Sequence, residues 1–117
     1  MVDTPILEIS RLEEIFEDDT AGIADLLEAA MATGATTQAA LQDAFARHAL
    51  NDVMRSAHSI KCSSANVGGN EVAEVAGRIE AAARADTWDG IEPAMRELDE
   101  AYERLREAVR AYRAGLS

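Results

Sequence analysis

One histidine of the chain lies close to a lysine, at helical spacing and among small side chains. His58 and Lys61 are three residues apart in the run SAHSIKCSSANVGG, residues 56–69. Side chains three residues apart share one face of a helix, so the ammonium group can reach a group that the imidazole carries. An imidazole is a nucleophile, and an ammonium pairs with phosphoryl oxygens as a point charge. The pair therefore suits a histidine that receives and hands over a phosphoryl group, and no second base is at hand to activate water for hydrolysis.

The position of His58 on the predicted helix indicates an exposed ring. The residues that fit a buried face of this helix are Val53, Ala57, Ile60, Ser64 and Val67. At about 100° per residue, His58 lies roughly 140° away from the centre of that face. Its neighbours on the outer face are Met54, Cys62 and Ala65, none of them bulkier than methionine. We therefore expect an imidazole that the flat surface of another protein can reach, whereas a lone histidine on a helix is usually an ordinary surface residue.

The same run resembles the signature of histidine-containing phosphotransfer (HPt) domains of two-component phosphorelays. That signature has a histidine, an aliphatic residue two positions on, a lysine three on, a stretch of small residues and a glycine ten on. His58, Ile60, Lys61 and Gly68 match it, with small residues at positions 63–65. The opening segment, the helix that follows it and the length of the chain are also similar to free-standing members of the family.

The resemblance implies roles for residues of this chain. His58 would carry the phosphoryl group on Nε2, and Lys61 would support that group. Glu80 and Arg84 correspond, by their spacing from His58, to a polar and a basic residue that members often place on the next helix. These two residues are also four positions apart, so a plain surface ion pair explains them equally well. The surface on which a partner would dock consists of Met54, Arg55, Cys62 and Ala65.

The chain departs from the family pattern at Cys62, which follows the lysine where members usually have a glycine. A thiol is small, so we expect docking to survive with slightly less room for the partner's backbone. This residue is the single cysteine of the chain, which excludes an internal disulfide bond and a thiolate zinc site. We interpret it as a small helix residue rather than a redox centre.

The resemblance also implies partner proteins and which groups each partner supplies to the reaction. A receiver domain of a hybrid histidine kinase, or of a response regulator, would carry the aspartyl phosphate and the Mg²⁺. The chain would need no cofactor or metal of its own, and would have no autonomous kinase or hydrolase activity. An alternative function is a non-catalytic helical adaptor that binds receiver or kinase domains without phosphotransfer. The intact His58 and Lys61 speak against the adaptor, and the departure at Cys62 mildly favours it.

Composition limits the other function classes. The 117 residues include 22 acidic and 11 basic side chains, which gives a formal net charge of −11. Such a charge disfavours binding to nucleic acid and to anionic membranes. The chain has no run of about 18 apolar residues, and its first residues lack the pattern of a signal peptide, so we expect a cytoplasmic protein. It also lacks the glycine-rich motifs that bind nucleotides.

The alanine content and the positions of glycine and proline predict five helical segments. With 24 alanines and only 2 prolines, the chain favours helices. The first segment is short, and the later ones span about residues 20–49, 51–67, 70–85 and 91–113. The second has a weak point at residues 33–37, where Gly34 and neighbouring threonines lower the helix propensity and could kink or break the helix.

Polar residues at the predicted helix starts have the chemistry of N-caps. Ser10 and Glu13 have the spacing of a capping box, which would start the first helix at residue 11. Asn51 or Asp52 would cap the third helix, and Asn70 would cap the fourth.

Together these elements predict an all-α fold in one domain of residues 1–117. The fold would be an antiparallel four-helix bundle over about residues 20–113, with a short N-terminal helix as a lid. Apolar residues repeat at alternating spacings of three and four along the last segment, at Met95, Leu98, Tyr102, Leu105, Val109 and Tyr112. One core would use the apolar stripes of all segments, so we expect a monomer. A di-metal carboxylate bundle would need Glu-x-x-His pairs, which the sequence lacks.

Overall fold

The computed structural model describes residues 7–115, which form five helices joined by short connections. The helices are α1 (Ser10–Ile15), α2 (Thr20–Ala46), α3 (Leu50–Asn66), α4 (Asn70–Arg84) and α5 (Ile91–Ala114). No strand occurs among the described residues. The four long helices form a ring in which α2 and α4 each pack against both α3 and α5, while α1 packs against α2. The predicted all-α four-helix bundle with a short N-terminal helix is confirmed.

All five helices contribute to one apolar core. The largest fully buried side chains are Tyr102, Ile23, Leu27, Leu41, Ile60, Ile79, Ile91, Leu98, Leu105, Val53 and Val72. The predicted stripe of α5 is buried from Leu98 to Val109, and its two ends are half-buried. The five residues predicted for the inner face of α3 are also buried, from Val53 to Val67. Helix α3 therefore turns its opposite face, which carries His58, to the solvent.

Helix α2 continues through Gly34, so the predicted weak point does not break it. A Cβ atom at this buried glycine would lie 3.0 Å from both Cε1 and Oη of Tyr102 on α5. The glycine thus makes room for a large core side chain, and this packing outweighs the roughly 1 kcal/mol by which glycine weakens a helix. None of the described helices is both long enough and apolar enough to cross a membrane.

The segment before α1 is bound to the turn between α3 and α4. The backbone N–H of Glu8 donates to the carbonyl of Gly68 over 2.9 Å. Gly68 has a φ of 83°, and a Cβ there would collide with the Glu8 carbonyl, so this turn requires glycine. Asn70 does not cap α4, because it is already the first helical residue and Gly69 occupies the N-cap position. Its side-chain amide instead donates to the Glu8 carboxylate over 3.0 Å. The capping box at Ser10 is also wrong: Ser10 is itself helical, and no side chain caps α1.

The connection between α2 and α3 lies earlier in the chain than the sequence predicts, at residues 47–49. Helix α2 ends at residue 46, and the chain reverses through His48, which has a φ of 55°. The His48 ring lies edge-on to Trp88, with 5.3 Å between the ring centroids. Because α2 ends three residues earlier than predicted, α3 already begins at residue 50 with Ala49 as its N-cap, so neither Asn51 nor Asp52 caps it.

Candidate functional site

His58 lies midway along the outer face of α3, beside α4. The short turn after α3 folds α4 back along it, which brings His58 next to Glu80, 22 residues further along the chain. The imidazole remains 52% exposed. Its Nδ1 atom lies 2.7 Å from Oε2 of Glu80. The ring is thus anchored on one edge while much of its surface faces the solvent.

The Glu80 carboxylate determines which ring nitrogen carries the hydrogen. An ionised carboxylate can only accept hydrogen bonds, so Nδ1 of the neutral ring is protonated and donates to Oε2. This tautomer leaves a lone pair on Nε2. Of the two ring nitrogens, Nε2 is therefore the one that can act as a nucleophile.

Glu80 is buried and has three partners. Its side chain is only 4% exposed, although it carries a charge. Nζ of Lys61 lies 2.7 Å from Oε1, and Nη2 of Arg84 lies 2.8 Å from Oε2. Oε2 is thus shared between His58 and Arg84, whereas Oε1 pairs with the lysine. We call these four residues, His58, Lys61, Glu80 and Arg84, the His58 cluster.

The partners of Glu80 keep its carboxyl group ionised. Hydrogen bonds lower the pKa of Glu80 from 4.5 to about 2, and the bond from Lys61 has the largest effect, followed by the bond from Arg84. Burial opposes this shift because it disfavours the charged form, and the contact with His58 adds to the lowering. The group is therefore a carboxylate at neutral pH, as its role as an acceptor for Nδ1 requires.

We expect Glu80 to make the stability of the protein sensitive to acid. Its folded-state pKa is lower than its ordinary value, so its stabilising contribution is complete above pH 4.5 and is lost as the pH falls towards about 2. Glu80→Gln has no group to protonate at this position. Its free energy of unfolding, measured with urea across this window, should therefore change less steeply with pH than that of the wild type.

A matched control for this experiment is Glu92→Gln. Glu92 lies on an exposed face of α5 and pairs with Arg96 over 2.7 Å, so its loss removes one charge without touching the His58 cluster. Equal pH slopes for the Glu80→Gln variant and the wild type would contradict the prediction.

The predicted docking residues lie on the same outer face of α3. Arg55, Cys62 and Ala65 are exposed, while Met54 is half-buried and packs against the core. The Sγ atom of Cys62 is 3.5 Å from Nε2 of His58. No group of three or more metal-ligating side chains occurs within residues 7–115.

Comparison with known proteins identifies the family. A family model described as the Hpt domain matches residues 12–108 of the 117. The chain belongs to the Hpt domain family. The resemblance predicted from residues 58–68 is thereby confirmed, and family membership connects the chain with histidine phosphotransfer in two-component phosphorelays. A search of curated proteins finds no match.

A solved Hpt protein has the same fold. The crystal structure of histidine-containing phosphotransfer protein B (HptB) from Pseudomonas aeruginosa PAO1 superposes on this chain with a TM-score of 0.86. The match covers 96% of this chain and 97% of that one, at 20% sequence identity. The Hpt bundle is thus present over nearly its whole length.

The structure brings together all four residues to which the Hpt resemblance assigns roles. It rejects the alternative of a plain surface ion pair, because Glu80 is buried and also contacts α3. Gly77 of α4 also borders the site and was not predicted from the sequence: a Cβ atom there would lie 3.4 Å from Cδ of Lys61. A signal for Glu80 was available: it is four residues after the buried Ala76, so it shares the buried stripe of α4.

Proposed function

We propose that this Hpt domain is a phosphocarrier that moves phosphoryl groups between receiver-domain aspartates through Nε2 of His58. The observation that carries the proposal is the exposed His58 ring, whose other nitrogen donates to the buried, ionised Glu80. This contact prepares a nucleophile on the surface and holds its orientation before any partner arrives. Positioning of this kind is the main contribution a protein makes to phosphoryl transfer.

In the proposed reaction the Nε2 lone pair attacks the phosphorus of an aspartyl phosphate in line with the leaving oxygen. The N–P bond forms, the bond between phosphorus and the aspartate oxygen breaks, and the aspartate leaves as a carboxylate. The hydrogen on Nδ1 stays in place, so the phosphorylated ring carries a positive charge that faces the Glu80 carboxylate. The next receiver aspartate then attacks the same phosphorus, and Nε2 leaves with its electron pair.

Lys61 supplies a charge for the transferred group. In the resting protein its ammonium pairs with Oε1 of Glu80. When a phosphoryl group occupies Nε2, we infer that Lys61 moves towards the phosphoryl oxygens. Oε2 of Glu80 keeps its bonds from His58 and Arg84 during this movement, so the ring remains anchored.

The proposed partners are receiver domains of a hybrid histidine kinase and of a response regulator. In this proposal the receiver supplies the aspartyl phosphate and the Mg²⁺, and the chain itself acts without a cofactor. We further propose that it acts as a monomer, because its apolar stripes meet in one core. Exchange with receivers requires a shared compartment, which we propose is the cytoplasm.

A transfer experiment tests this function. Incubation with phosphorylated receiver domains, supplied one at a time with Mg²⁺, should place an acid-labile phosphate on His58, located by mass spectrometry of peptides kept at alkaline pH. A phosphate on another residue would refute the assignment. Receiver binding without any transfer would instead support the adaptor alternative.

A further inference from the structure

The atom that His58 would use for transfer already has a neighbour. Cys62 lies one helical turn after His58, and its Sγ atom is 3.5 Å from Nε2. The thiol is exposed, so it shares the outer surface with the imidazole. The adjacent Ser63 behaves differently, because its hydroxyl donates to the backbone carbonyl of Ser59 over 2.9 Å.

The thiol uses the lone pair that the reaction needs. Since Nδ1 carries the ring hydrogen, Nε2 can only accept, and the S–H group of Cys62 is the donor in this contact. A phosphorus atom has to approach the attacking nitrogen to within about 3–3.5 Å, along the direction of its lone pair. The sulfur lies at that same distance from Nε2. Thiol and phosphorus therefore compete for one position.

We propose that Cys62 limits how fast His58 gains a phosphoryl group, because its thiol must rotate away from Nε2 before attack. This inference rests on the proposed phosphocarrier function. Rotation about the Cα–Cβ bond is sufficient, since the thiol is exposed. The ring does not need the thiol to keep its orientation, because Glu80 holds it from the Nδ1 side. The thiol thus slows transfer without helping to orient the His58 ring.

Replacing the thiol should accelerate the reaction. We expect Cys62→Ala to accept phosphate from a phosphorylated receiver about three- to tenfold faster than the wild type, as loss of one weak hydrogen bond allows. The measurement is a single-turnover time course with the receiver in excess. Ser63→Ala is the matched control, because it removes a neighbouring polar atom that contacts only the backbone. A Cys62→Ala rate equal to or lower than that of wild type would overturn the proposal.

A second measurement does not depend on transfer. In ¹⁵N NMR spectra of the imidazole, the Nε2 resonance should shift in Cys62→Ala, because the exposed nitrogen exchanges the thiol donor for water, while the Nδ1 resonance keeps its position. Ser63→Ala should move neither resonance. An unchanged Nε2 signal in Cys62→Ala would overturn the proposed contact. If the wild type accepts no phosphate from any receiver, the phosphocarrier function fails, and this spectrum still decides whether the thiol occupies the lone pair.

Discussion

A His58→Gln protein should accept no measurable phosphate from a phosphorylated receiver, which corresponds to a loss of at least about 10³-fold in rate. Glutamine is polar and close in size to histidine, but its amide nitrogen has no available lone pair and cannot attack phosphorus. The measurement is the radiolabel transferred to the chain at fixed times. It reports on the nucleophile itself, since Lys61, Glu80 and Arg84 remain in place.

The chain contains a second histidine that serves as the matched control. His48 lies in the connection between α2 and α3, where its ring packs against Trp88. His48→Gln should therefore accept phosphate at the wild-type rate. Label retained by the His58→Gln variant, or lost by the His48→Gln variant, would contradict the assignment of the phosphoacceptor.

The second large effect concerns Lys61, the only lysine in the sequence. We expect Lys61→Ala to slow transfer about 10²-fold, because removal of one preorganised positive group from a transition state typically costs that much. Lys61→Arg should retain part of the rate, since it keeps the charge but changes its reach and shape. The rates would come from the same single-turnover time course.

Arg84→Ala separates the role of Lys61 from a general loss of positive charge. Arg84 binds the oxygen of Glu80 that also accepts from His58, so it supports the ring rather than the transferred group. We expect a smaller decrease in rate for this variant than for Lys61→Ala. Equal effects would show that the cluster acts only through its total charge.

The long helices could be predicted from sequence because the signal lies within each helix. A helix in a bundle repeats its apolar residues every three or four positions, and α5 does so from Leu98 to Val109. The role of Asn70 and the continuity of α2 at Gly34 depend on contacts from elsewhere in the chain. The Asn70 amide binds Glu8, 62 residues away, and the Gly34 position is filled by the ring of Tyr102. Neither partner is visible in the local sequence.

The same distinction applies to the site: features of a single helix could be predicted, whereas contacts between helices could not. Exposure of His58 could be predicted, since it depends on the geometry of α3 alone. The stripe of α4 indicated that Glu80 faces inward, but the partners that make a buried charge tolerable could not be predicted, because two of them lie on α3. The sequence shows Lys61 and Glu80 as separate charged residues, and only the register between α3 and α4 joins them.

This separation between helices also bears on how such domains diverge. The carboxylate that holds the ring belongs to α4, whereas Arg55 and Ala65 lie on the outer face of α3. Substitutions at Arg55 and Ala65 change the shape and charge of the surface that a partner contacts, and they remove no partner of Glu80. After gene duplication, two copies could therefore bind different partner proteins through a few surface substitutions while both keep the His58 cluster.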